Sequence, residues 1–293
     1  MALYTIKDLE NLTGIMAHTI RIWEKRYNLV APRRTDSNIR MYGDEDLKRL
    51  LNISILYRHG VKISRIACLT NDELTEQILR LSHQAGDYDN QVESLVIAMI
   101  DLDEITFDRL LSKAFVQMGF ENAILHVIYP FFDRVGMLWQ VGTINPAQEH
   151  FVSNLIRQRL IVAIDGLIPL KQKRPKTFLL FLPETEFHEI GLLFYHYLIR
   201  KHGHKVIYLG QSVPFGDLVE VSAIRGIDCL FTSFTAGMGD TSIRDYLLKL
   251  KKSFPDKKIF VSSLYLREKE KDIPRGIILV RTPEAFAERL VSI

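Results

Sequence analysis

The sequence predicts a multidomain protein of α and α/β class, and three observations predict it. Two short helical patterns around Thr13-Gly14, then two extended runs around Asp36-Ser37-Asn38, mark an N-terminal winged helix-turn-helix. Four patterns with apolar residues at three- and four-residue spacing, between residues 91 and 168, mark a four-helix bundle. From residue 177, short runs rich in Ile, Val, Leu and Phe alternate with helical patterns. That alternation marks a C-terminal doubly wound parallel sheet, Rossmann-like or flavodoxin-like. At 293 residues the chain is too long for one ordinary core. The domains are expected at 1–83, 90–170 and 176–293.

The elements follow in order. Thr5, with Asp8 three positions later, is close to a capping box opening a short helix over Ile6–Leu12. Thr13-Gly14 ends it, and Met16–Lys25 forms the second helix. Ile20 and Trp23 share its apolar face, while His18, Arg21 and Lys25 lie on another. Leu29–Tyr42 reads as a hairpin wing. Asp44-Glu45-Asp46 caps a third helix, Leu47–Arg58, which His59-Gly60 ends. Lys62–Leu69 is a shorter helix, and another runs from Asn71-Asp72 to about His83. The polar stretch Gln84–Asn90 is a linker. The bundle helices are Gln91–Asp101, Thr106–Met118, Glu121–Gln140 and Pro146–Ile168, and a basic linker, Lys171–Lys176, closes them off. The strands are Thr177–Leu182, Lys205–Leu209, Asp228–Ser233, Lys258–Ser262 and Gly276–Val280. Between and after them come helices at His188–Lys201, Phe215–Ile224, Ser242–Ser253 and Pro283–Val291. Ligands of such sheets sit outside the carboxyl ends of the strands. Pro183–Gly191 lies there, right after the first strand.

With 47% hydrophobic and 25% charged residues, the composition is that of a globular protein. No apolar run reaches the ~20 residues of a membrane span, and Met1-Ala2-Leu3-Tyr4 shows no signal peptide. Cys68 and Cys229 are the only cysteines, which fits a reducing cytoplasm rather than a disulfide framework. The net charge of +3 is unevenly spread. Residues 1–70 carry 12 Lys/Arg against 7 Asp/Glu, residues 71–170 carry 6 against 14, and residues 171–293 carry 20 against 14. A basic head on an acidic middle suits a chain of which one end approaches phosphates.

That head offers Arg21, Lys25, Arg26, Arg33, Arg34 and Arg40, with Trp23, Tyr27 and Tyr42 interleaved. A charge run alone is a solvated face. On a helix-turn-helix with a wing, the cations neutralise phosphates and a few recognition-helix side chains reach base edges. Trp23 and Ile20 belong to the core. Thr19-Ile20-Arg21-Ile22-Trp23-Glu24, Pro32-Arg33-Arg34, Arg40-Met41-Tyr42, Asp46, Gly60 and Ile63–Ala67 together resemble the DNA-binding domain of the MerR family. Asn38-Ile39-Arg40 stands where that family has Gly-Tyr-Arg. The resemblance implies that double-stranded promoter DNA is bound by a dimer or tetramer. It places His18, Thr19 and Arg21 on the bases, and Arg33, Arg34, Arg40 and Tyr42 on the backbone. The long C-terminal coiled-coil helix that pairs many members is not evident.

His188 is the leading candidate ligand in the C-terminal half. A neutral imidazole there could coordinate a metal, and Glu186 could accept its other ring N–H and fix the tautomer. Gly191 admits something bulky close to the helix backbone. By itself Glu-x-His-x-x-Gly reads as readily as a solvated helix N-terminus. The motif resembles that of cobalamin-binding domains, whose His is the lower axial ligand of cobalt. Ser233 stands where that family completes a His–carboxylate–Ser relay. Trp139, followed after nine residues by Glu149-His150, resembles the light-sensing MerR-family repressors that bind adenosylcobalamin, in which the Trp caps the upper corrin face. Glu149 and His150 count among the implied contacts. Two departures stand out. Ser262-Ser263 replaces the usual Gly-Gly beside the nucleotide tail, and Gln140 follows Trp139 where some relatives have His.

No nucleophile–base pair or zinc cluster supports an enzyme. His126, His150, His196, His202 and His204 read as surface or helix-packing residues. Asp101, Asp103, Glu104 and Asp108 answer a helix dipole. Three functions stand open. The first is a transcriptional regulator whose oligomerisation and operator binding depend on cobalamin, with the corrin between bundle and sheet and light breaking its cobalt–carbon bond. The second keeps the fold without needing cobalamin. The third, a corrinoid carrier for methyl transfer, is opposed by the DNA-binding head.

Overall fold

The computed structural model describes residues 3–293, apart from 36–37, 59, 72, 75–76, 78–87, 141–143, 225, 235–239, 264–265, 268–269 and 271–272. The chain forms two compact units, Met1–Ser153 and Asn154–Ile293.

In the first unit, α1 (Ile6–Thr13) has the expected capping box, and Gly14 ends it in the left-handed region at φ 70°. α2 (Ala17–Tyr27) buries Ile20 and Trp23, and Trp23 meets Tyr57 edge-on at 5.0 Å. β1 (Arg33–Arg34) pairs antiparallel with β2 (Arg40–Met41) to form the wing. Tyr4 and Tyr42 exchange backbone hydrogen bonds at 2.9 Å, which ties the wing's return to the chain start. α3 (Asp44–Arg58) starts earlier than expected, because the acidic triplet forms its first turn. Asp46 reaches back to the Gly43 N–H and across to the Ala31 N–H, both at 3.0 Å. α4 (Ile63–Ile66) is shorter than the expected Lys62–Leu69. The amides of Cys68 and Leu69 turn to carbonyls three residues back, which tightens the end. His59, turn residues Asp36-Ser37, and most of the expected helix to His83 and of the following linker lie outside the described residues.

The helices that follow are α5 (Tyr88–Ile100), α6 (Glu104–Met118), α7 (Phe120–Ala123), α8 (Tyr129–Gln140) and α9 (Pro146–Asp165). Between α7 and α8 the expected third helix widens into a π turn, Ile124–Ile128. Gly119, at φ 81°, breaks α6 from α7. α5 is buried on almost every side, and its Glu93 pairs with Arg134 at 3.0 Å.

In the second unit a five-stranded parallel sheet has the order β4-β3-β5-β6-β7, with β3 Thr177–Pro183, β4 Lys205–Val213, β5 Cys229–Ser233, β6 Lys258–Ser262 and β7 Ile277–Val280. This is the flavodoxin-like order, which selects between the two expected arrangements. The helices are α10 (Ile190–Lys201), α11 (Phe215–Ile224), α12 (Asp240–Ser253) and α13 (Pro283–Ser292). Leu179, Phe181, Leu230, Ile259 and Val261 bury one sheet face with Leu218 and Leu247. Phe178, Phe231 and Phe260 meet Tyr195 and Phe286 in tilted and edge-on ring contacts. His204 is not a surface residue. It is 5% exposed, its Nδ1 accepts from Lys176 N–H (3.1 Å) and its Nε2 lies 2.9 Å from the Leu290 carbonyl. Both nitrogens are used to join strand and helix ends.

Candidate functional site

The outward face of α2 exposes His18, Arg21, Ile22, Lys25 and Arg26. Thr19 is half-buried, its hydroxyl 3.3 Å from His18 Nε2. Arg33 and Arg34 are exposed on the wing, and Arg34 Nη1 donates to Asn38 Oδ1 at 2.5 Å. Arg40 is held differently. Its Nε donates to both carboxylate oxygens of Glu24, each at 3.1 Å, which locks the wing to the recognition helix. Tyr42 is a correction to the expected backbone contact. It is fully buried and its hydroxyl donates to Glu24 at 3.2 Å. Burial first, then the Glu24 carboxylate, pushes its phenol up to about 12. Tyr42 therefore supports Arg40 through their shared Glu24 carboxylate. Glu24, in the sequence only one position of the family motif, is the side chain that joins Arg40 to Tyr42.

In the second unit, β3 and β5 are neighbours at the switch point of the sheet. The loop after β3 carries Glu186 and His188. Glu186 is 6% exposed, and its Oε1 accepts from both the His188 amide (3.0 Å) and His188 Nδ1 (2.6 Å). The His188 side chain is 64% exposed. In the neutral ring, a proton on Nδ1 facing the carboxylate leaves the lone pair on Nε2. The helix therefore starts at Ile190, two residues later than expected. The loop is lashed to β4. Thr185 N–H donates to Ser212 Oγ (3.1 Å), Ser212 N–H to the Glu186 carbonyl (3.1 Å) and Gln211 Nε2 to the Phe187 carbonyl (2.8 Å). Thr185 sits at φ 72°, a conformation that costs a β-branched residue ~1–3 kcal/mol and that these bonds maintain.

Glu189, next in the chain, is a second buried carboxylate. Arg157 Nη2 lies 2.5 Å from its Oε1, and the Tyr208 hydroxyl donates to its Oε2 at 2.7 Å. Burial, then Glu189, raises the Tyr208 phenol well above its ordinary range. His196 stacks on Tyr208 at 5.2 Å, and burial lowers its imidazole to about 4. Arg157 is 32 residues from its partner, so no local signal could have announced the pair.

The other expected residues fall as follows. Ser233 ends β5, buried, and is in register with Ser262. Ser262 Oγ lies 3.2 Å from the Tyr195 hydroxyl, and Ser263, 3% exposed, has a buried hydroxyl with no partner among the described residues. In the first unit Glu149 accepts from Ser153 Oγ (2.5 Å) and pairs with His150 Nδ1 (3.0 Å). Trp139 and Gln140 end α8, and both side chains lie outside the described ones.

The donor set fits a corrin cobalt. An exposed imidazole is oriented by a buried carboxylate, and a Cβ on Gly191 would meet nothing within 4 Å among the described residues. The orphan Ser263 hydroxyl fits a polar ligand group at the strand ends. Among the described residues no cluster of three or more His, Cys, Asp or Glu could hold a bare metal ion.

Comparisons with known proteins agree. The model of the MerR HTH family regulatory proteins matches residues 4–73, and that of a B12 binding domain matches residues 91–163. The HTH-type transcriptional repressor CarH of Myxococcus xanthus is 30% identical over 258 residues, spanning 86% of this chain and 85% of its own. The chain belongs to the MerR family. Within that family it is a DNA-binding transcriptional regulator with a B12-binding domain, and not an enzyme. The repressor CarA of the same organism is 28% identical over 211 residues, 71% of this chain and 68% of its own. The Methanosarcina barkeri monomethylamine corrinoid protein shares the fold at TM-score 0.57 and 16% identity, over 70% of this chain and 98% of its own. Among the described residues no helix is long and apolar enough to cross a membrane.

Proposed function

We propose that this MerR-family regulator is switched by adenosylcobalamin, and that the His188–Glu186 pair is the centre of the switch. Its three working modules are 1–83, 90–170 and 176–293. When bound, the cofactor supplies a photolabile cobalt–carbon bond. His188 Nε2 would ligate its cobalt, and Glu186 would hold the ring through Nδ1–H. The Arg157–Glu189 pair and the pinned loop keep the imidazole where the strand ends put it. By the family resemblance, Trp139, Glu149 and His150 would add further contacts to the cofactor. Ligand binding joins copies of the chain into a dimer or tetramer in the cytoplasm. Several DNA heads then share one operator, which multiplies affinity through effective concentration. His18, Thr19, Arg21 and Arg26 meet the groove, and Arg33, Arg34 and Arg40 meet the backbone.

The observation that carries this is the 2.6 Å contact between a buried carboxylate and an exposed imidazole after the first sheet strand. Elution volume and operator affinity, measured with adenosylcobalamin in the dark and after light, test it. A larger species with tighter binding in the dark, reversed by light, is expected. Unchanged size and affinity with and without cofactor, in dark and light, would contradict it. The Ser262–Tyr195 contact favours a second reading, because it fills the place of a glycine. On that reading the fold is kept and operator binding needs no cobalamin.

A further inference from the structure

The exposed face of α2 is not uniformly polar. His18, Arg21, Ile22, Lys25 and Arg26 fall at spacings of three and four, which on an α-helix is one stripe. Four of these side chains are cationic or hydrogen-bonding. The fifth, Ile22, is 48% exposed and sits mid-stripe, one turn after His18 and one turn before Arg26. The core side of the helix is already filled by Ile20 and Trp23, which are 0% and 5% exposed. Isoleucine is also a poorer helix former than Arg, Lys or Gln. At this position it serves neither the core nor the helix, and its exposed area is unfavourable in water.

The charge of the stripe selects the occupant. Three basic side chains around Ile22, with Arg33 and Arg34 on the wing, answer a polyanion. In the major groove most base-edge groups are donors or acceptors. The apolar exception is the C5-methyl of thymine. We propose that Ile22 is a specificity-determining residue that reads thymine by packing on its C5-methyl group. Arg21 and Lys25, flanking it, engage neighbouring base edges or phosphates. This rests on DNA binding alone and is independent of any cofactor.

Deoxyuridine lacks only that methyl group, so it isolates the contact. An operator is first selected from a random-sequence library with the full chain, and each thymine is then replaced singly by deoxyuridine. One position per half-site should lose about fourfold in affinity, the worth of one buried methyl. Ile22→Ala should lose affinity for the thymine operator and become indifferent to deoxyuridine at that position. Ile22→Val, which keeps the β-branch, should retain part of the discrimination. Two results would overturn the proposal. One is that no thymine is sensitive to methyl removal. The other is that Ile22→Ala weakens binding while leaving every deoxyuridine effect unchanged. Sedimentation without DNA is the control for a protein partner. If Ile22→Ala abolishes self-association there, the residue faces a second copy and the proposal fails.

Discussion

Removing the Glu24 carboxylate should destabilise the DNA-binding head far more than a half-exposed ion pair suggests. Two groups depend on it. Arg40, with 32% of its side chain exposed, contributes on the order of 0.2–1 kcal/mol as a pair. The Tyr42 hydroxyl is buried, and stranding it costs roughly 1–3 kcal/mol. Glu24→Ala should therefore cost about 2–3 kcal/mol. Tyr42→Phe deletes only the hydroxyl and should cost about 1 kcal/mol, because Arg40 still satisfies Glu24. In the Tyr42→Phe background there is nothing buried to strand, so Glu24→Ala should fall to the cost of the ion pair. A double-mutant cycle should give a coupling of about 1–2 kcal/mol. Urea unfolding followed by Trp23 emission, in a Trp139→Phe background, reads the head alone. Trp23 is buried against Tyr57, so its emission shifts when the head opens. A coupling under about 0.3 kcal/mol, which is ordinary additivity, would refute the shared-carboxylate account.

The remaining expectations concern the two units' titration and backbone. His196 has its imidazole lowered by burial, then by Arg200, to about 4, below its ordinary 6.5. The unfolded chain takes the proton first, so its contribution is complete above pH 6.5 and is lost as pH falls toward 4. His196→Phe keeps the stack on Tyr208 and should flatten the melting temperature over that window. A Cβ on Gly203, at φ 80°, would lie 2.1 Å from the Leu170 carbonyl oxygen. Gly203→Ala should therefore cost well over the ~1–2 kcal/mol of left-handed strain alone, and hydrogen exchange at the Leu170 amide, which donates to Lys201, should accelerate. Gly14→Ala, at φ 70° with nothing within 4 Å among the described residues, should show the strain without the clash.

Local chemistry was the legible part of this chain. Caps such as Thr5–Asp8, the apolar faces of Ile20 and Trp23, and the alternation of buried strands with helices each act within a few residues, and each appears in the structure. The strand order was not legible, because it is set by which sheet edges remain when helices have packed. The π turn at Ile124–Ile128 leaves no periodic trace short enough to read. Tyr42 misled because an aromatic beside Arg40 suits a wing contact and a core anchor equally, and only burial decides. The Glu186–His188 pair was legible because both partners sit in one loop. The bonds of Arg157 and Tyr208 to the neighbouring Glu189 were not, since those side chains come from a distant helix and strand.

The central claim is that the His188 imidazole, and not the cofactor's own base, occupies the lower face of cobalt. Paramagnetic cobalt(II) cobalamin bound to protein carrying 15N-histidine tests it directly, because the nitrogen on the cobalt axis splits the electron resonance lines. Doublets with labelled protein, triplets with unlabelled protein, and loss of the label's effect in His188→Ala are expected. Triplets that persist whatever the histidine label would show the ring standing in solvent, and would contradict the account.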